Sequence, residues 1–273
     1  MTMQLNLFQW DAIAVGNGYQ SFSRLDFNDA RNHFSRVLNA VPDHPAAGRG
    51  IDDLNFWEGV FRDMEKLDSE STVSFLWDRI SGFPFGSSES YESLRLSLIK
   101  HLLTLLEGED NFYVPPDLCS GYLCLQVGDY STAENHLRIL IDLLPENGRL
   151  YAYLADALYM QGKEESAGAA YTTALLLTPH EIPVAAICNR QLVDVIQEHG
   201  AETAPIYGYL KGILPLINLK TEPVTDEARV CELLRQAEQA MHLGKHDEMV
   251  AARRGLKQLV PNILKDYLAW LKD

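Results

Sequence analysis

Two pairs of metal-binding residue types stand out in a search for side chains that could do chemistry. His242 and His246 are four positions apart, the spacing that places two imidazoles on one face of a helix, as in a zinc site. Gly244 lies between them and predicts the end of a helix there, which favours two solvated turn histidines. Cys119 and Cys124 are five positions apart, off a common helix face, so packing is the simpler interpretation. The sequence therefore predicts no metal site.

Neighbouring acidic residues are the other chemical candidates, because two carboxylates can divide the roles of acid and base. Asp52 with Asp53, and Glu164 with Glu165, fit the starts of helices, where negative charge favours the helix dipole. The chain carries no Gly-rich phosphate loop ending in Lys-Ser or Lys-Thr, no nucleophile elbow and no H-E-x-x-H motif. We therefore expect no catalytic residue, no enzyme activity and no cofactor.

Net charge limits the partners that the chain can bind. Its 273 residues include 38 acidic and 23 basic side chains, a formal net charge of −15. Such a chain repels phosphate backbones and anionic membrane surfaces, so neither nucleic acid nor a membrane is an expected ligand. The same charge favours a basic protein partner.

Targeting and redox signals favour a cytoplasmic protein. The first residues lack the positively charged head of a secretory signal, and the most apolar run, Leu94 to Leu106, is too short to span a bilayer. The four cysteines form no C-x-x-C pair, which favours reduced, mostly buried thiols. The sequence leaves the oligomeric state open.

Residues 148–181 form a complete helix-turn-helix pattern that organises the rest of the chain. Four apolar residues recur at helical spacing in its first half, namely Tyr151, Leu154, Ala155 and Leu158. Gly162 then predicts a turn, Ala167 allows close approach of a second helix, and Pro179 predicts its end. Three counterparts stand 34 residues earlier: Gly128, Ala133 and Pro145. Their register predicts two adjacent repeats.

This order of large, small and stop residues resembles the tetratricopeptide repeat family, whose period is 34 residues. The resemblance implies an all-α superhelix of antiparallel helix pairs, with a C-terminal capping helix. It divides the chain as one continuous solenoid into a divergent unit (1–46), an atypical helical segment (47–113), two well-matched units (114–181), a helical extension and linker (182–224), and a divergent unit with its cap (225–273).

The family resemblance also implies a concave groove lined by the first helix of each repeat. Carried over position by position, the predicted partner-binding residues are Val15, Tyr19, Phe22, Leu118, Tyr122, Leu125, Arg149, Asp156, Tyr159, Met160 and Arg190. The Lys and Asn pair with which some members clamp a peptide carboxylate is missing at Leu118 and Tyr122 and at Ala152 and Asp156. An apolar or amphipathic helical segment is the expected ligand. The alternative is that several of these side chains only pack between repeats.

We therefore expect a non-catalytic scaffold for protein binding, such as an adaptor, an assembly factor or a chaperone-like protein. A regulatory subunit of an enzyme complex, or an enzyme with its site in residues 47–113, is the alternative function. A self-assembling structural protein is a third. The step from fold to role is analogy, because repeat folds host many functions.

Overall fold

The computed structural model describes residues 9–218 and 225–271. Fourteen α-helices and two 3-10 helices form in this part of the chain. Extended backbone pairs there only in the isolated antiparallel bridge between Val114 and Leu118. The predicted all-α class is confirmed. The chain divides into two compact units between Val127 and Gly128.

The first unit contains six α-helices. They are α1 (Trp10–Ser23), α2 (Phe27–Ala40), α3 (Pro45–Met64), α4 (Ser69–Gly82), α5 (Glu89–Leu105) and α6 (Ser120–Gln126). Helices α1 and α2 form the predicted hairpin, α3 packs on α2, and α5 packs back on α1. Fully buried Phe34 lies where these helices meet, because Gly18 of α1 and Gly50 of α3 leave room for its ring. A β-carbon at either glycine would lie 2.6 Å from a ring atom of Phe34.

The atypical middle segment is helical, as predicted, and its Gly/Pro-rich loop is a tucked-in connector. Phe83 and Phe85 pack on fully buried Trp57, with ring centroids 5.2 Å and 6.2 Å away. The loop between α4 and α5 is therefore anchored by its two aromatic side chains.

The second unit contains the remaining eight α-helices. They are α7 (Tyr130–Leu143), α8 (Gly148–Met160), α9 (Glu164–Leu177), α10 (Arg190–His199), α11 (Ala204–Leu210), α12 (Asp226–His242), α13 (His246–Leu259) and α14 (Pro261–Trp270). Helix α8 ends just before Gly162, whose φ of +73° is the left-handed conformation that closes a helix, and α9 ends just before Pro179. These boundaries confirm the predicted helix-turn-helix unit.

The segment after Pro179 differs from its prediction. The sequence predicts one helix from about Pro183 to His199, whereas two 3-10 turns, Pro179–Glu181 and Val184–Ala186, precede a helix that begins only at Arg190. Asn189 caps that helix, since its side chain accepts the Leu192 N–H. The predicted linker from Lys220 to Thr225 lies, except for its last residue, outside the described residues.

The last three helices form a hairpin with a cap. Gly244, at φ +66°, separates α12 from α13, and α14 packs on α13 and α11. Fully buried Tyr267 anchors α14, and its hydroxyl donates to Glu238 of α12 at 2.6 Å. The predicted capping helix is confirmed. The described helices include none that is long and apolar enough to cross a membrane.

Candidate functional site

The predicted groove residues of the first unit are largely covered. Val15 and Phe22 are buried, and the ring of Tyr19 lies between Phe34 at 5.1 Å and Tyr91 at 5.6 Å. Because Tyr91 belongs to α5, that helix covers the face of α1 that was predicted to be concave and open. Val15, Tyr19 and Phe22 therefore pack inside the first unit.

A polar chain completes this closed face. The Tyr91 hydroxyl donates a short hydrogen bond to the Asp53 carboxylate of α3, and the Tyr19 hydroxyl donates to the Ala46 carbonyl at 3.2 Å. Partial burial and the neighbouring Asp53 raise the pKa of Tyr91. The phenol therefore stays protonated, and α5 is tied to α3 as well as packed on α1. Tyr91 and Asp53 both lie in residues 47–113, and their hydrogen bond joins α5 to α3.

Three more of the predicted groove residues of this unit lie on α6 or just before it. Leu118 is buried just before the helix, whereas Tyr122 and Leu125 are half-buried. The Tyr122 ring packs edge-on against Trp77 of α4, with 6.0 Å between ring centroids. Packing within the first unit therefore occupies one face of Tyr122.

Asp156 of α8 lies inside the second unit. It is 6% exposed, and its Oδ1 accepts hydrogen bonds from the Tyr171 hydroxyl of α9 and from the Cys188 N–H at 2.8 Å. Burial raises the pKa of Asp156, and these hydrogen bonds oppose that shift. The carboxyl group holds the irregular segment before α10 against α8. It is a structural residue here, and its predicted place in an open groove does not fit its burial.

The other groove residues predicted in the second unit differ in access. Arg149 is half-buried, and its guanidinium donates to the Tyr153 hydroxyl at 2.9 Å and to the Glu181 carbonyl at 2.8 Å. Met160 is 45% exposed, Tyr159 is half-buried, and Arg190 is exposed at the start of α10. Tyr159, Met160 and Arg190 therefore stay open to a partner.

An open groove lies instead along the hairpin of α12 and α13. Two clefts of ≈ 400 Å³ and ≈ 370 Å³ share Leu233 as a wall. We call this surface the C-terminal groove. Its lining residues are Arg229, Glu232, Leu233, Gln236, Gln239, Ala240, Leu243, Lys245, Glu248, Ala251, Ala252, Gly255, Gln258 and Leu259.

Small residues leave the space that forms this groove. A β-carbon at Gly255 would lie 3.1 Å from a Leu233 methyl, so glycine lets the leucine side chain settle between the helices. Leu243 is 61% exposed and Leu259 is 40% exposed, which leaves apolar surface at the two ends. Sequence reasoning missed this site, because the groove depends on the half-burial of Leu233, which the packing of two helices determines.

Charges along the C-terminal groove are balanced. Lys245 pairs with Glu248 at 3.0 Å, and Glu232 pairs with Arg235 at 2.6 Å. The Arg235 guanidinium lowers the pKa of Glu232, which keeps this carboxylate ionised at neutral pH. Because these groups are already paired, the groove offers an incoming segment apolar contact with polar edges.

Metal-ligand geometry was the other possibility raised by the sequence. His242 ends α12 and His246 begins α13, with the left-handed turn of Gly244 between them, as predicted. No group of three or more histidine, cysteine, aspartate or glutamate side chains in residues 9–218 and 225–271 is placed to hold a metal ion.

The centre of the chain is similar to a known protein family. A family model described as tetratricopeptide repeat matches residues 121–182, which include α8 and α9 with the Gly162 turn between them. This confirms the resemblance predicted from Gly162, Ala167 and Pro179. No curated protein matches the chain in sequence.

Proposed function

We propose that this chain is a non-catalytic scaffold that binds a partner protein, because residues 121–182 match the tetratricopeptide repeat model and such repeats generally mediate binding between proteins. It acts as an adaptor, an assembly factor or a chaperone-like protein. Its four free cysteines suit the reducing cytoplasm, where we propose that it works. That its repeats form one continuous solenoid stays a prediction.

The ligand we propose is an amphipathic helix of the partner, bound in the C-terminal groove. The observation that carries this proposal is the pair of clefts on both sides of Leu233, lined by alanine, glycine, leucine and glutamine together with two basic and two acidic side chains. A helix with apolar residues at i, i+3, i+4 and i+7 lays such a face into an apolar groove between two helices. Exposed Leu243 and Leu259 supply anchor contacts, and the glutamines supply a polar rim.

Two pairs of substitutions separate this groove from the groove that the family resemblance implies. Leu243→Asp with Ala251→Arg adds charges to the C-terminal groove at two exposed positions, and Tyr122→Ala with Tyr159→Ala removes aromatic anchors of the first-helix groove. Leu143→Asp is the matched control, since Leu143 of α7 is 56% exposed and lies outside both. Each tagged chain is purified from its native cells, and co-purified proteins are quantified by mass spectrometry.

We expect a stoichiometric partner that is lost from the Leu243→Asp/Ala251→Arg chain and kept by the Leu143→Asp control. If the partner is lost only from the Tyr122→Ala/Tyr159→Ala chain, the binding site lies on the first helices of the repeats instead. If the unaltered chain co-purifies with no protein, the scaffold function itself is wrong.

A further inference from the structure

A third cleft, in the first unit, has a different chemical character. It lies where α4 begins and α5 ends, has a volume of ≈ 260 Å³, and we call it the acidic cleft. Its lining residues are Ser69, Glu70, Val73, Leu105, Leu106, Glu107, Glu109 and Phe112. This volume lies below the range of about 300–1,000 Å³ that is typical of small-molecule pockets, so the cleft suits a side chain better than a free metabolite.

The acidic cleft has an apolar floor. Val73 and Leu106 are buried, Phe112 is half-buried, and Leu105 is 36% exposed. Long aliphatic stems lie favourably on such surfaces while their charged heads stay hydrated. An apolar floor with charged edges therefore fits an amphipathic side chain.

Three carboxylates line the rim of this cleft. Glu70, Glu107 and Glu109 are exposed, and none of them forms an ion pair with another described residue. Asp68, which caps the start of α4, adds a carboxylate close to these residues in sequence. Hydrogen bonds from Ser71 lower the pKa of Asp68, so this carboxyl group is ionised at neutral pH. The basic residue that precedes the cleft in sequence, Lys66, is paired with Asp63 at 2.8 Å. The rim carries negative charge without a matching cation among its lining residues.

The end of α5 adds to this preference for positive charge. The carboxyl end of a helix carries partial negative charge, and a cation placed there is stabilising. Helix α5 has no basic residue in its last turn, and the residues that follow its end, Leu106 and Glu107, line the cleft. The start of α4 carries partial positive charge, as the amino end of any helix does. Asp68 and Glu70 already offset that charge.

We propose that the acidic cleft receives a lysine or arginine side chain from a basic segment of a partner protein. The aliphatic stem lies on Val73, Leu106 and Phe112, and the cationic head lies among Glu70, Glu107 and Glu109. An apolar residue next to the cation contacts exposed Leu105. This surface is independent of the C-terminal groove, so the failure of either one leaves the other standing.

The test uses the full chain and defined peptides. A short fluorescein-labelled peptide of alternating lysine, leucine and serine is titrated by fluorescence anisotropy, beside a peptide with every leucine replaced by serine and one with every lysine replaced by glutamate. The cleft variant is Glu107→Lys/Glu109→Lys. The matched control is Glu164→Lys/Glu165→Lys, two exposed acidic residues of the second unit, which changes the net charge equally.

We expect saturable binding of the lysine-leucine peptide, weakened about tenfold in the cleft variant and less than about threefold in the control, since only the cleft variant reverses charges that face the bound cation. The serine peptide should bind more weakly, and the glutamate peptide should not bind. Glu107→Gln/Glu109→Gln removes the charges without reversing them and should weaken binding by an intermediate factor, with an unchanged circular dichroism melt.

Three results would overturn the proposal. Equal weakening by the cleft and control variants would assign the binding to the net charge of the chain. Unchanged binding in the glutamine variant would remove the carboxylates from the site. A lack of saturable binding below about 1 mM would show that the cleft has no such ligand.

Discussion

The α1–α2 hairpin of the first unit and the α12–α13 hairpin of the second were both predicted to be divergent repeat units, and their surfaces differ in the structure. In the first, α5 packs on α1 and covers Tyr19 with Tyr91. In the second, Leu233 stays half-buried between two clefts. The fold of a helix hairpin therefore does not determine by itself whether its face can bind a partner. That depends on whether a later helix covers the face.

The largest expected contrast is between the two large side chains at these hairpins. Phe34→Ala should lower the free energy of unfolding by about 3–5 kcal/mol, because the ring is fully buried and its loss leaves a cavity. Leu233→Ala should lower it by only about 1 kcal/mol, because much of that side chain already faces the groove. Urea unfolding of the full chain, followed by circular dichroism, measures both. Similar losses would mean that Leu233 is a core residue.

Glycine contacts give the next contrast. Gly18→Ala should destabilise the chain by about 1–2 kcal/mol, since the new methyl would lie 2.6 Å from the enclosed Phe34 ring. Gly255→Ala meets only the movable end of Leu233 at 3.1 Å and gains helix propensity, so stability should stay within about 0.5 kcal/mol. Thermal melts of the two variants test this pair. A large loss at Gly255 would indicate a closed seam instead of a groove.

A third contrast concerns two glutamates, each paired with the lysine that directly follows a turn glycine. For one of them the contribution to stability depends on pH. Glu134 of α7 accepts hydrogen bonds from Lys163 at 2.6 Å, Arg138 at 2.9 Å and Gln161 at 3.0 Å, and these lower the pKa of Glu134 to about 2. The folded pKa is depressed, so this stabilisation is present above the ordinary value of 4.5 and is lost as pH falls towards 2.

Glu134→Gln should therefore cost about 1–2 kcal/mol at pH 7, and its difference from the unaltered chain should shrink below pH 4.5. Glu248→Gln, at the exposed pair with Lys245, should cost less than about 0.5 kcal/mol. Denaturant unfolding at several pH values measures both. A Glu134 effect that is independent of pH would show that the carboxylate charge is not its source.

The smallest expected effects concern the turns of the two hairpins. Leu25 adopts φ +62° where Gly244 adopts φ +66° in the corresponding turn. Gly244→Ala should cost about 1 kcal/mol, because a β-carbon is strained in this conformation. Leu25→Gly relieves a similar strain but loses the contacts of a partly buried leucine. The two effects oppose each other, so the free energy of unfolding should change by less than about 0.5 kcal/mol. Melting temperatures of the two variants test this order.

Local signals made the helix pairs predictable from sequence. The spacing of Gly162, Ala167 and Pro179 predicts a turn, a helix contact and a helix end, and each is set by neighbouring residues. The sequence around Gly18, by contrast, does not identify the Phe34 ring that packs against this glycine and against Gly50.

Long-range contacts were not predictable from sequence. Asp156 occupies a groove position by its place in the repeat, but its burial depends on the Cys188 N–H, which belongs to an irregular segment predicted to be helical. Likewise, the covered face of α1 depends on Tyr91, which is 72 positions after Tyr19. A repeat pattern assigns each residue a position, and the covering elements then decide its access.

The central claim is that the C-terminal groove binds an amphipathic helix, and site-specific photo-crosslinking tests it most directly. A benzophenone amino acid replaces Leu243 in one chain and Leu143 in another, both exposed, and each chain is irradiated in native cells before the crosslinked peptides are sequenced. We predict that position 243 alone captures one partner, through a segment with apolar residues at i, i+3, i+4 and i+7, and that Ala251→Arg abolishes the crosslink. Equal capture at position 143, or a crosslink that persists with Ala251→Arg, would contradict the claim.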